Sequence, residues 1–545
     1  MAQPRPLHLD DYPNDELYDH ISPLFTDKYQ LTMAYNYWSD GDADERAVFH
    51  MFLRKCPLGG EYVVFAGLDR ALTCVKSLKF TPNDILRLKN HFGETFCEEF
   101  YEYLLTLDFA RVIIRSLEQG MIFYANEPMI VFDGPILMCQ LLETMMLNLV
   151  SFPSLVTTQC LRHVTAAKRK VCVDMSLRRA QSVDGAMAIS KYSYISGYDG
   201  TSNVLSGSIT GVNIIGTLAH AYLMSNESLD DATDLPLTNK LTGKTTESFK
   251  QLVLKYRTEL GYSNTNDGEL AAFIKNARIY PDKFVSLLDT YDTLQSGVKN
   301  HICVGLALNE LGFKAVGCRL DSGCLSFLSI EVRKLFREID TRYGIDVFGS
   351  SKIIASNEIG EETLISLNQN GHEIDIFGIG TNATCSKASP PGTVFKLVWF
   401  KGQNKLKFSE DFTKSTLPGD KNIFRLYNEE GFAIIDLMTQ KEDLTELYDV
   451  DGYVLCCHPT QQLTRAKVKP ARVEALLTTV WKNGEILTDT SIHKAREVCK
   501  QNFAFVRDDI KRFSNPTGYK VALDEDLFNL NFQMHLSKKV RKVIS

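Results

Sequence analysis

Three segments between residues 315 and 381 each combine a short apolar run with polar side chains at its end. The runs end in Arg319-Leu320-Asp321-Ser322-Gly323, in Ser356-Asn357-Glu358 and in Gly378-Ile379-Gly380-Thr381. Arg319 and Asp321 are two residues apart, so on a strand they face the same side. An arginine can hold a carboxylate with two parallel hydrogen bonds, and an aspartate beside it suits ribose hydroxyls or magnesium with bound phosphates. The alternative is a structural ion pair between the two residues.

The glycines of the third segment predict a phosphate contact. Gly378 and Gly380 would let backbone amides approach a phosphate, and a helix start at Thr381 would favour the anion. A tight turn without a ligand is the alternative. In a β/α barrel the phosphate site tends to lie in the last loops, where this segment falls.

A histidine follows another apolar run. Gly216-Thr217-Leu218-Ala219-His220 comes after residues 212–215 and before a stretch predicted to be helical, 221–225. We predict that Thr217 caps this helix and that His220 lies in its first turn, where the helix dipole favours a neutral, nucleophilic imidazole. Such a histidine could accept a phosphoryl group, and a packed or surface histidine is the alternative. Asp289 or Asp292 could orient the imidazole, or one of them could cap a helix.

The elements that position these residues predict an α/β fold. From about residue 171, strands and helices alternate, with predicted strand ends at 197–199, 214–217, 288–290, 319–321, 355–357 and 378–381. This alternation indicates parallel βα units, whose active sites lie at the carboxyl ends of the strands. Because a full set of barrel strands cannot be counted, we predict an irregular β/α barrel.

The chain is predicted to have four parts. They are a flexible tail (1–22), an N-terminal α+β domain contributing to a dimer interface (23–150), a catalytic barrel (151–392) and a C-terminal mixed region packed on the barrel (393–545). Residues 137–170 are predicted to be helical with a break near Pro153, and polar residues 225–250 form a predicted inserted surface loop.

Composition excludes several classes of protein. The 545 residues carry a net charge of −7 and are 44% hydrophobic, which argues against broad nucleic-acid binding. The most apolar stretch, 136–150, contains Gln140, Glu143 and Asn148, so we predict a buried core helix rather than a membrane span. The 13 cysteines have no metal-binding spacing and indicate a reducing compartment; with no signal peptide, we predict a cytosolic location.

Ten segments in order resemble nicotinate phosphoribosyltransferase, a type II phosphoribosyltransferase, in its animal form. They are Thr26-Asp27-Lys28-Tyr29-Gln30, Leu58-Gly59-Gly60, Leu141-Leu142-Glu143-Thr144, Leu177-Arg178-Arg179-Ala180-Gln181, Tyr192-Ser193-Tyr194, Ser202-Asn203-Val204-Leu205, Gly216-Thr217-Leu218-Ala219-His220, Leu288-Asp289-Thr290-Tyr291, Arg319-Leu320-Asp321-Ser322-Gly323 and Gly378-Ile379-Gly380-Thr381. No single segment is decisive, but the ordered set is specific.

The resemblance implies that nicotinate and phosphoribosyl pyrophosphate give nicotinate mononucleotide and pyrophosphate, the first step of NAD synthesis from nicotinate. ATP would be a co-substrate and Mg²⁺, or Mn²⁺, a cofactor held mainly by substrate phosphates, with Asp321 as a further ligand. His220 would be phosphorylated and supported by Asp289. The residues assigned to nicotinate are Tyr29, Thr217, Arg319 and Arg178, and those assigned to the donor are Thr381, Gly380, Gly378, Asp321 and Asn357. A homodimer would supply Tyr29 across its interface.

The sequence departs from the family at Cys324, where aspartate is common, and at Asn382, where serine is usual. Three alternatives stay open: a nicotinamide-using phosphoribosyltransferase, a divergent non-catalytic homologue that binds nucleotide, and an unrelated phosphate-binding barrel. An unrelated isomerase or aldolase would need a lysine or glutamate base at a strand end, where only Glu358 is available.

Overall fold

The computed structural model describes residues 22–385, 388, 391–408, 415–461 and 463–538. The predicted flexible tail, 1–22, lies outside the described residues except for Ser22. The chain divides into two compact units, residues 1–159 with 387–545 and residues 160–386. All thirteen cysteines are free thiols. Among the described residues, no helix is both long and apolar enough to cross a membrane.

The α-helices of the described ranges are α1 (Lys28–Ser39), α2 (Leu68–Ser77), α3 (Pro82–Phe92), α4 (Glu98–Leu104), α5 (Ile136–Leu141), α6 (Glu143–Ala166), α7 (Ser182–Ile195), α8 (Val204–Thr210), α9 (His220–Met224), α10 (Phe249–Glu259), α11 (Asp267–Ile279), α12 (Val298–Glu310), α13 (Leu325–Tyr343), α14 (Glu361–Asn370), α15 (Ile492–Phe505) and α16 (Glu525–Lys538).

The strands are β1 (Arg46–Leu53), β2 (Val63–Val64), β3 (Ile113–Ser116), β4 (Ile122–Phe123), β5 (Pro128–Pro135), β6 (Val171–Asp174), β7 (Gly200–Thr201), β8 (Val285–Leu287), β9 (Gly317–Leu320), β10 (Lys352–Ala355), β11 (Ile376–Ile379), β12 (Thr393–Phe400), β13 (Gln403–Asn404), β14 (Asn422–Tyr427), β15 (Ala433–Thr439), β16 (Val454–Cys457), β17 (Arg465–Val468), β18 (Arg472–Ala475), β19 (Thr478–Lys482), β20 (Glu485–Ile486) and β21 (Val521–Leu523).

The unit of residues 160–386 contains a parallel sheet in the order β7-β6-β11-β10-β9-β8. The last strand, β11, pairs with the first, β6, and Ile214 extends the sheet beyond β7 by a parallel bridge to Thr201. The sheet therefore follows chain order around a barrel, with its gap between Ile214 and β8. Short buried strands such as β9, all four of whose residues are buried, explain the apolar runs in the sequence. The predicted irregular barrel is confirmed.

In this unit one strand prediction was wrong and one strand was missed. The segment 197–199 precedes β7 rather than ending a strand, and β6 was not predicted, because its four residues follow a helix within a few positions. Asp174 ends β6 fully buried, and it accepts hydrogen bonds from the Thr201 hydroxyl (2.7 Å) and the Ser176 amide (2.9 Å). A buried carboxylate thus ties the end of β6 to that of β7.

The other unit contains a seven-stranded sheet in the order β13-β12-β1-β5-β3-β19-β20 and a six-stranded sheet in the order β17-β16-β21-β15-β14-β18. The interior strand β1 pairs antiparallel with both β5 and β12, and β3 pairs with β19. All residues of β1 except Arg46 are buried, since both of its faces are covered. Strands from the predicted regions 23–150 and 393–545 therefore share one sheet.

The predicted break near Pro153 does not occur, because α6 continues through this residue. Pro153 has no amide hydrogen, which leaves the Leu149 carbonyl without its helical partner. Gly67, with a φ of +98°, lies against that carbonyl so closely that a Cβ there would be 2.1 Å from the oxygen. Local contacts also support the turn, since Ser154 Oγ accepts from the Ala66 amide at 3.1 Å. The neighbouring backbone therefore accommodates the proline.

Candidate functional site

The predicted site residues of the barrel lie at one edge of its sheet. Because all of its strands are parallel, the segments that follow them emerge at the same edge. Those segments carry Thr217 and His220 after the Ile214 bridge, Asp289 after β8, Asp321 after β9, Ser356 and Asn357 after β10, and Gly380 and Thr381 after β11. The fold therefore gathers most of the predicted residues from distant parts of the sequence.

Arg319 is the centre of a hydrogen-bonded group at this edge. Its Nε donates to Ser356 Oγ (2.8 Å), its Nη1 to Thr217 Oγ1 (2.9 Å) and its Nη2 to Asp321 Oδ1 (3.0 Å). The Ser356 hydroxyl in turn donates to Asp321 Oδ1. Arg319 and Asp321 lie on the same face, as their two-residue spacing predicts. They also form an ion pair, which was the alternative to a ligand-binding role for the two residues.

The ion pair leaves part of the Arg319 guanidinium available. A guanidinium has five N–H donors, one on Nε and two on each terminal nitrogen. The three hydrogen bonds use one donor on each nitrogen. One N–H therefore remains on Nη1 and another on Nη2, and N–H groups on the two terminal nitrogens can make a two-point contact with a carboxylate.

Asp289 lies beside His220. His220 Nε2 is 3.4 Å from Asp289 Oδ1, and the aspartate side chain is only 3% exposed. Asp289 Oδ2 accepts from the Asp321 amide (3.2 Å) and from the Ser322 hydroxyl. Asp292 instead caps a π-helix, Thr293–Gly297, by accepting from the Leu294 and Gln295 amides. Asp292 thus acts as a helix cap, whereas Asp289 is the aspartate that lies beside His220.

The predicted cap at Thr217 was wrong. The helix α9 begins at His220, with Ala219 as its N-cap residue and no side-chain cap. Thr217 lies three residues before the helix, and its hydroxyl accepts from Arg319 instead. His220 is still in the first turn, because the helix starts one residue earlier than predicted.

A buried carboxylate lies behind the π-helix. Glu269, on α11, is fully buried and accepts hydrogen bonds from Ser296 Oγ (2.6 Å) and Asn300 Nδ2 (2.9 Å). Burial raises the pKa of Glu269 to about 7 against these hydrogen bonds, and the charges of Asp289 and Asp292 add to the rise. Glu269 was not among the predicted residues, because its environment is made by the packing of α11, α12 and the π-helix.

The turn after β10 has an unusual backbone. Asn357 and Glu358 have φ values of +102° and +47°, in a region that few residues other than glycine adopt. The Asn382 side-chain amide donates to the carbonyls of Glu358 (3.2 Å) and Ile359 (2.9 Å). A serine, the usual family residue at 382, has a single hydroxyl donor. Asn382 therefore stabilises a strained turn that carries Asn357, a residue predicted to bind phosphoribosyl pyrophosphate.

The two glycines of the third segment have different surroundings. A Cβ at Gly378, a buried position of β11, would lie 2.6 Å from Met175 Sδ, so the flexible end of the Met175 side chain would have to move. A Cβ at Gly380 would meet only an ordinary contact, 3.4 Å from the Met175 carbonyl oxygen. Thr381 begins a 3₁₀ helix, Thr381–Thr384, and is exposed. A phosphate at this segment would therefore approach the backbone at Gly380 and Thr381.

Two predicted residues are not joined to the Arg319 group. Arg178 is exposed in a 3₁₀ helix, Leu177–Arg179, and within the described ranges no hydrogen bond or ion pair links it to that group. Tyr29 belongs to the other unit, on α1, with 47% of its surface exposed. Partial burial, and then the Glu143 carboxylate, raise the pKa of Tyr29.

The segment around Tyr29 is anchored by another of the resembling segments. Gln30 Nε2 donates to Glu143 Oε2 (3.0 Å), and Thr144 Oγ1 donates to Asp27 Oδ2 (3.0 Å). Residues 26–30 and 141–144 are thus hydrogen-bonded to each other. This arrangement holds α1 while leaving the Tyr29 ring accessible.

Ser356 and Ser322 follow predicted strands, but the sequence predicts no role for either residue. Both contact predicted site residues, Ser356 through Arg319 and Asp321, and Ser322 through Asp289. The feature of the sequence that could have indicated a role is the position of each serine directly after an apolar run. Because the hydroxyl is uncharged, the sequence does not indicate which side chains it contacts.

Comparison with known proteins identifies two family domains in the chain. Residues 24–151 match the nicotinate phosphoribosyltransferase N-terminal domain, and residues 420–531 match the C-terminal domain of the same family. The nicotinate phosphoribosyltransferase of Dictyostelium discoideum is 42% identical over 518 residues, covering 93% of this chain and 87% of the relative. The human protein of that name is 37% identical over 514 residues, covering 93% and 95%.

Solved structures give the same result. The crystal structure of human nicotinic acid phosphoribosyltransferase superposes with a TM-score of 0.81 at 33% identity, covering 94% of this chain and 99% of that one. A nicotinate-nucleotide pyrophosphorylase from Pyrococcus furiosus has a TM-score of 0.59 at 18% identity, over 92% of this chain and 99% of the other. The second likeness concerns the fold alone.

Proposed function

The chain is an enzyme of the nicotinate phosphoribosyltransferase family, and we propose that it converts nicotinate and phosphoribosyl pyrophosphate into nicotinate mononucleotide and pyrophosphate. The product would enter NAD synthesis. One observation carries the proposal: at the strand-end edge of the barrel, Arg319 is held by three side chains yet keeps an N–H on each terminal nitrogen. This donor pair suits a small aromatic carboxylate.

Nicotinate binding would use Arg319 with support from Thr217. The guanidinium is mostly buried, with a side chain 10% exposed, so its charge acts in a region of low dielectric. A carboxylate accepting both remaining N–H groups would be oriented as well as bound. Arg178, exposed after β6, would line the same edge.

Donor binding would use the segments after β9, β10 and β11. The carboxylate of Asp321 uses Oδ1 for Arg319 and Ser356, which leaves Oδ2 for a ribose hydroxyl. The backbone around Gly380 and Thr381 would meet the 5-phosphate, and Asn357 would extend from its strained turn toward the ribose. Transfer develops charge on the ribose and on the leaving pyrophosphate, and fixed dipoles at this edge would stabilise both.

The carboxylates present fit a metal held mainly by substrate. No group of three or more His, Cys, Asp or Glu among the described residues could hold a metal ion by itself. A Mg²⁺ ion brought by the donor needs only one or two protein carboxylates, which Asp321 could provide. The ion would neutralise charge on the departing pyrophosphate.

ATP coupling would proceed through His220. Asp289 faces Nε2 of the imidazole, so Nδ1 is left as the nitrogen that accepts a phosphoryl group. Asp289 is buried and fixed by Ser322 and the Asp321 amide, so it would hold the ring and offset charge that develops on it. Asp289 thus contacts both His220 and the backbone amide of Asp321, so it links the histidine to the aspartate that would bind phosphoribosyl pyrophosphate.

A homodimer that brings Tyr29 to the barrel edge of its partner would complete the nicotinate site. Apolar exposure supports the association: on the seven-residue helix α8, Val204, Leu205 and Ile209 are 63%, 56% and 68% exposed. Ile214, 50% exposed, extends this patch, since it packs close to Gly207 of α8. Contiguous exposed apolar surface of this kind is typical of an interface.

The experiment that tests the proposed function is product formation from nicotinate and phosphoribosyl pyrophosphate with Mg²⁺, with and without ATP. We expect nicotinate mononucleotide in both reactions and a faster rate with ATP. Absence of product while the donor still binds would contradict the proposal and support a non-catalytic nucleotide-binding role.

A further inference from the structure

Ser356 occupies a position set by strand register. In the parallel pair of β9 and β10, Arg319 lies opposite Ile354, and the Ser356 amide donates to the Leu320 carbonyl (3.0 Å). Ser356 is therefore two residues beyond Ile354, as Asp321 is two beyond Arg319. Period two places Arg319, Asp321 and Ser356 on the same face.

The Ser356 hydroxyl is used in both directions. It accepts from Arg319 Nε and donates to Asp321 Oδ1, within a residue that is 4% exposed. A guanidinium can only donate and a carboxylate can only accept, so a hydroxyl is a group that can bridge them. The Ser356 side chain therefore has no hydrogen-bond donor left for a substrate.

We propose that Ser356 is a positioning residue that sets the enzyme's preference for a carboxylate substrate. The inference rests on the proposed function and deepens it. The hydroxyl binds both Arg319 Nε and Asp321 Oδ1. Arg319 and Asp321 are therefore joined by one direct hydrogen bond, from Nη2 to Oδ1, and not by two. The remaining N–H groups on Nη1 and Nη2 are thereby reserved for the ligand.

Loss of the hydroxyl would let the two charged side chains rearrange. Arginine and aspartate favour a two-point ion pair, which here would take up the Nε–H released by Ser356 and the free Oδ2 of Asp321. The guanidinium would shift toward Asp321, so its two remaining N–H groups would no longer both meet the ligand carboxylate. A carboxylate benefits from two donors, whereas a carboxamide has one acceptor oxygen and an NH₂ group that opposes an N–H donor. The consequence is weaker nicotinate binding and less discrimination against nicotinamide.

A purely structural role for Ser356 predicts a different result. If the hydroxyl only satisfied buried polar atoms, its removal would lower stability without changing the choice between acid and amide. Ser351 provides a matched control, because it is 3% exposed, precedes the same strand and has its hydroxyl within hydrogen-bond distance of the Ala315 (2.9 Å) and Val347 (2.9 Å) carbonyls. Its hydroxyl contacts no predicted ligand-binding side chain.

The test compares wild type, Ser356→Ala, Ser356→Thr and Ser351→Ala. For each, kcat and KM for nicotinate, the inhibition constant of nicotinamide and the melting temperature are measured. We expect Ser356→Ala to raise the nicotinate KM about tenfold, the change that follows loss of one hydrogen bond to a charged group, with a smaller effect on kcat. The ratio of the nicotinamide inhibition constant to the nicotinate KM should fall by a similar factor. Ser356→Thr, which keeps the hydroxyl, should restore both values.

Unchanged selectivity in Ser356→Ala, or an equal change in Ser351→Ala, would overturn the proposal. If Ser356→Ala does not fold, Ser356→Cys replaces it, because a thiol fills similar space but hydrogen-bonds weakly. An inactive wild type would contradict the proposed function itself. An active wild type with an unaffected variant would contradict only the role of Ser356.

Discussion

Replacement of Arg319 by lysine separates charge from geometry in the proposed nicotinate site. The ammonium group of lysine keeps the positive charge but presents its three donors from one atom. Arg319 donates from three different nitrogens to Ser356, Thr217 and Asp321. A lysine cannot reach all of these partners and also offer two parallel donors to a carboxylate.

The expected loss follows from the number of hydrogen bonds. Removing the two-point contact costs about one hydrogen bond to a charged group, or roughly 1.5–3 kcal/mol. At about 1.4 kcal/mol for each factor of ten, the nicotinate KM should rise roughly 10- to 150-fold. The KM for phosphoribosyl pyrophosphate should change less, because Asp321 Oδ2 is still free to bind the ribose.

The assay is steady-state kinetics with nicotinate varied at saturating phosphoribosyl pyrophosphate. Arg333→Lys is the matched control, because Arg333 is also buried and binds the Gly349 (2.8 Å) and Ser351 (2.7 Å) carbonyls and Asp375 (2.7 Å). We expect that control to lose thermal stability while its nicotinate KM stays near the wild-type value. An unchanged KM in Arg319→Lys, or an equal rise in Arg333→Lys, would refute the assignment of Arg319.

Three further predictions concern other parts of the site. His220→Ala should abolish ATP consumption coupled to product formation and leave slow transfer; undiminished coupled consumption would remove His220 from that role. Asn382→Ala should raise the KM for phosphoribosyl pyrophosphate about tenfold, because the turn at Asn357 and Glu358 loses the two hydrogen bonds from Asn382. The KM for nicotinate is the control and should change less. Burial raises the pKa of Glu269 from 4.5 to about 7, so between these values the folded protein keeps a proton that the unfolded chain loses, and stability falls as pH rises. Glu269→Gln should remove this dependence and be about 3 kcal/mol more stable than wild type at pH 8 but not at pH 4.5, as measured by denaturant unfolding; parallel pH curves would contradict the shift.

The barrel and the Arg319–Asp321 pair could be predicted because both depend on local periodicity. Alternating strands and helices indicate parallel units, and a two-residue spacing fixes which side chains share a face. The strand β6 was not predicted because its four residues follow a helix within a few positions. The predicted break at Pro153 was wrong because Gly67, far away in the sequence, leaves room for the Leu149 carbonyl, which has no helical partner.

The remaining parts of the site depend on tertiary packing. Sequence could not choose between Asp289 and Asp292, since both follow the same apolar run and either could cap a helix. Thr217 was assigned to a cap because its hydroxyl precedes a helical stretch, but a buried arginine 102 residues away uses it instead. The neutral side chain of Ser356 gave no sign of two charged partners.

The measurement that tests the central claim most directly is mononucleotide formation from nicotinate, phosphoribosyl pyrophosphate, Mg²⁺ and ATP, with nicotinamide run in parallel. The geometry around Arg319 predicts product from nicotinate and little or none from nicotinamide. Equal product from both substrates would contradict recognition of the carboxylate by Arg319. No product from either, with donor binding intact, would contradict the proposed catalytic function.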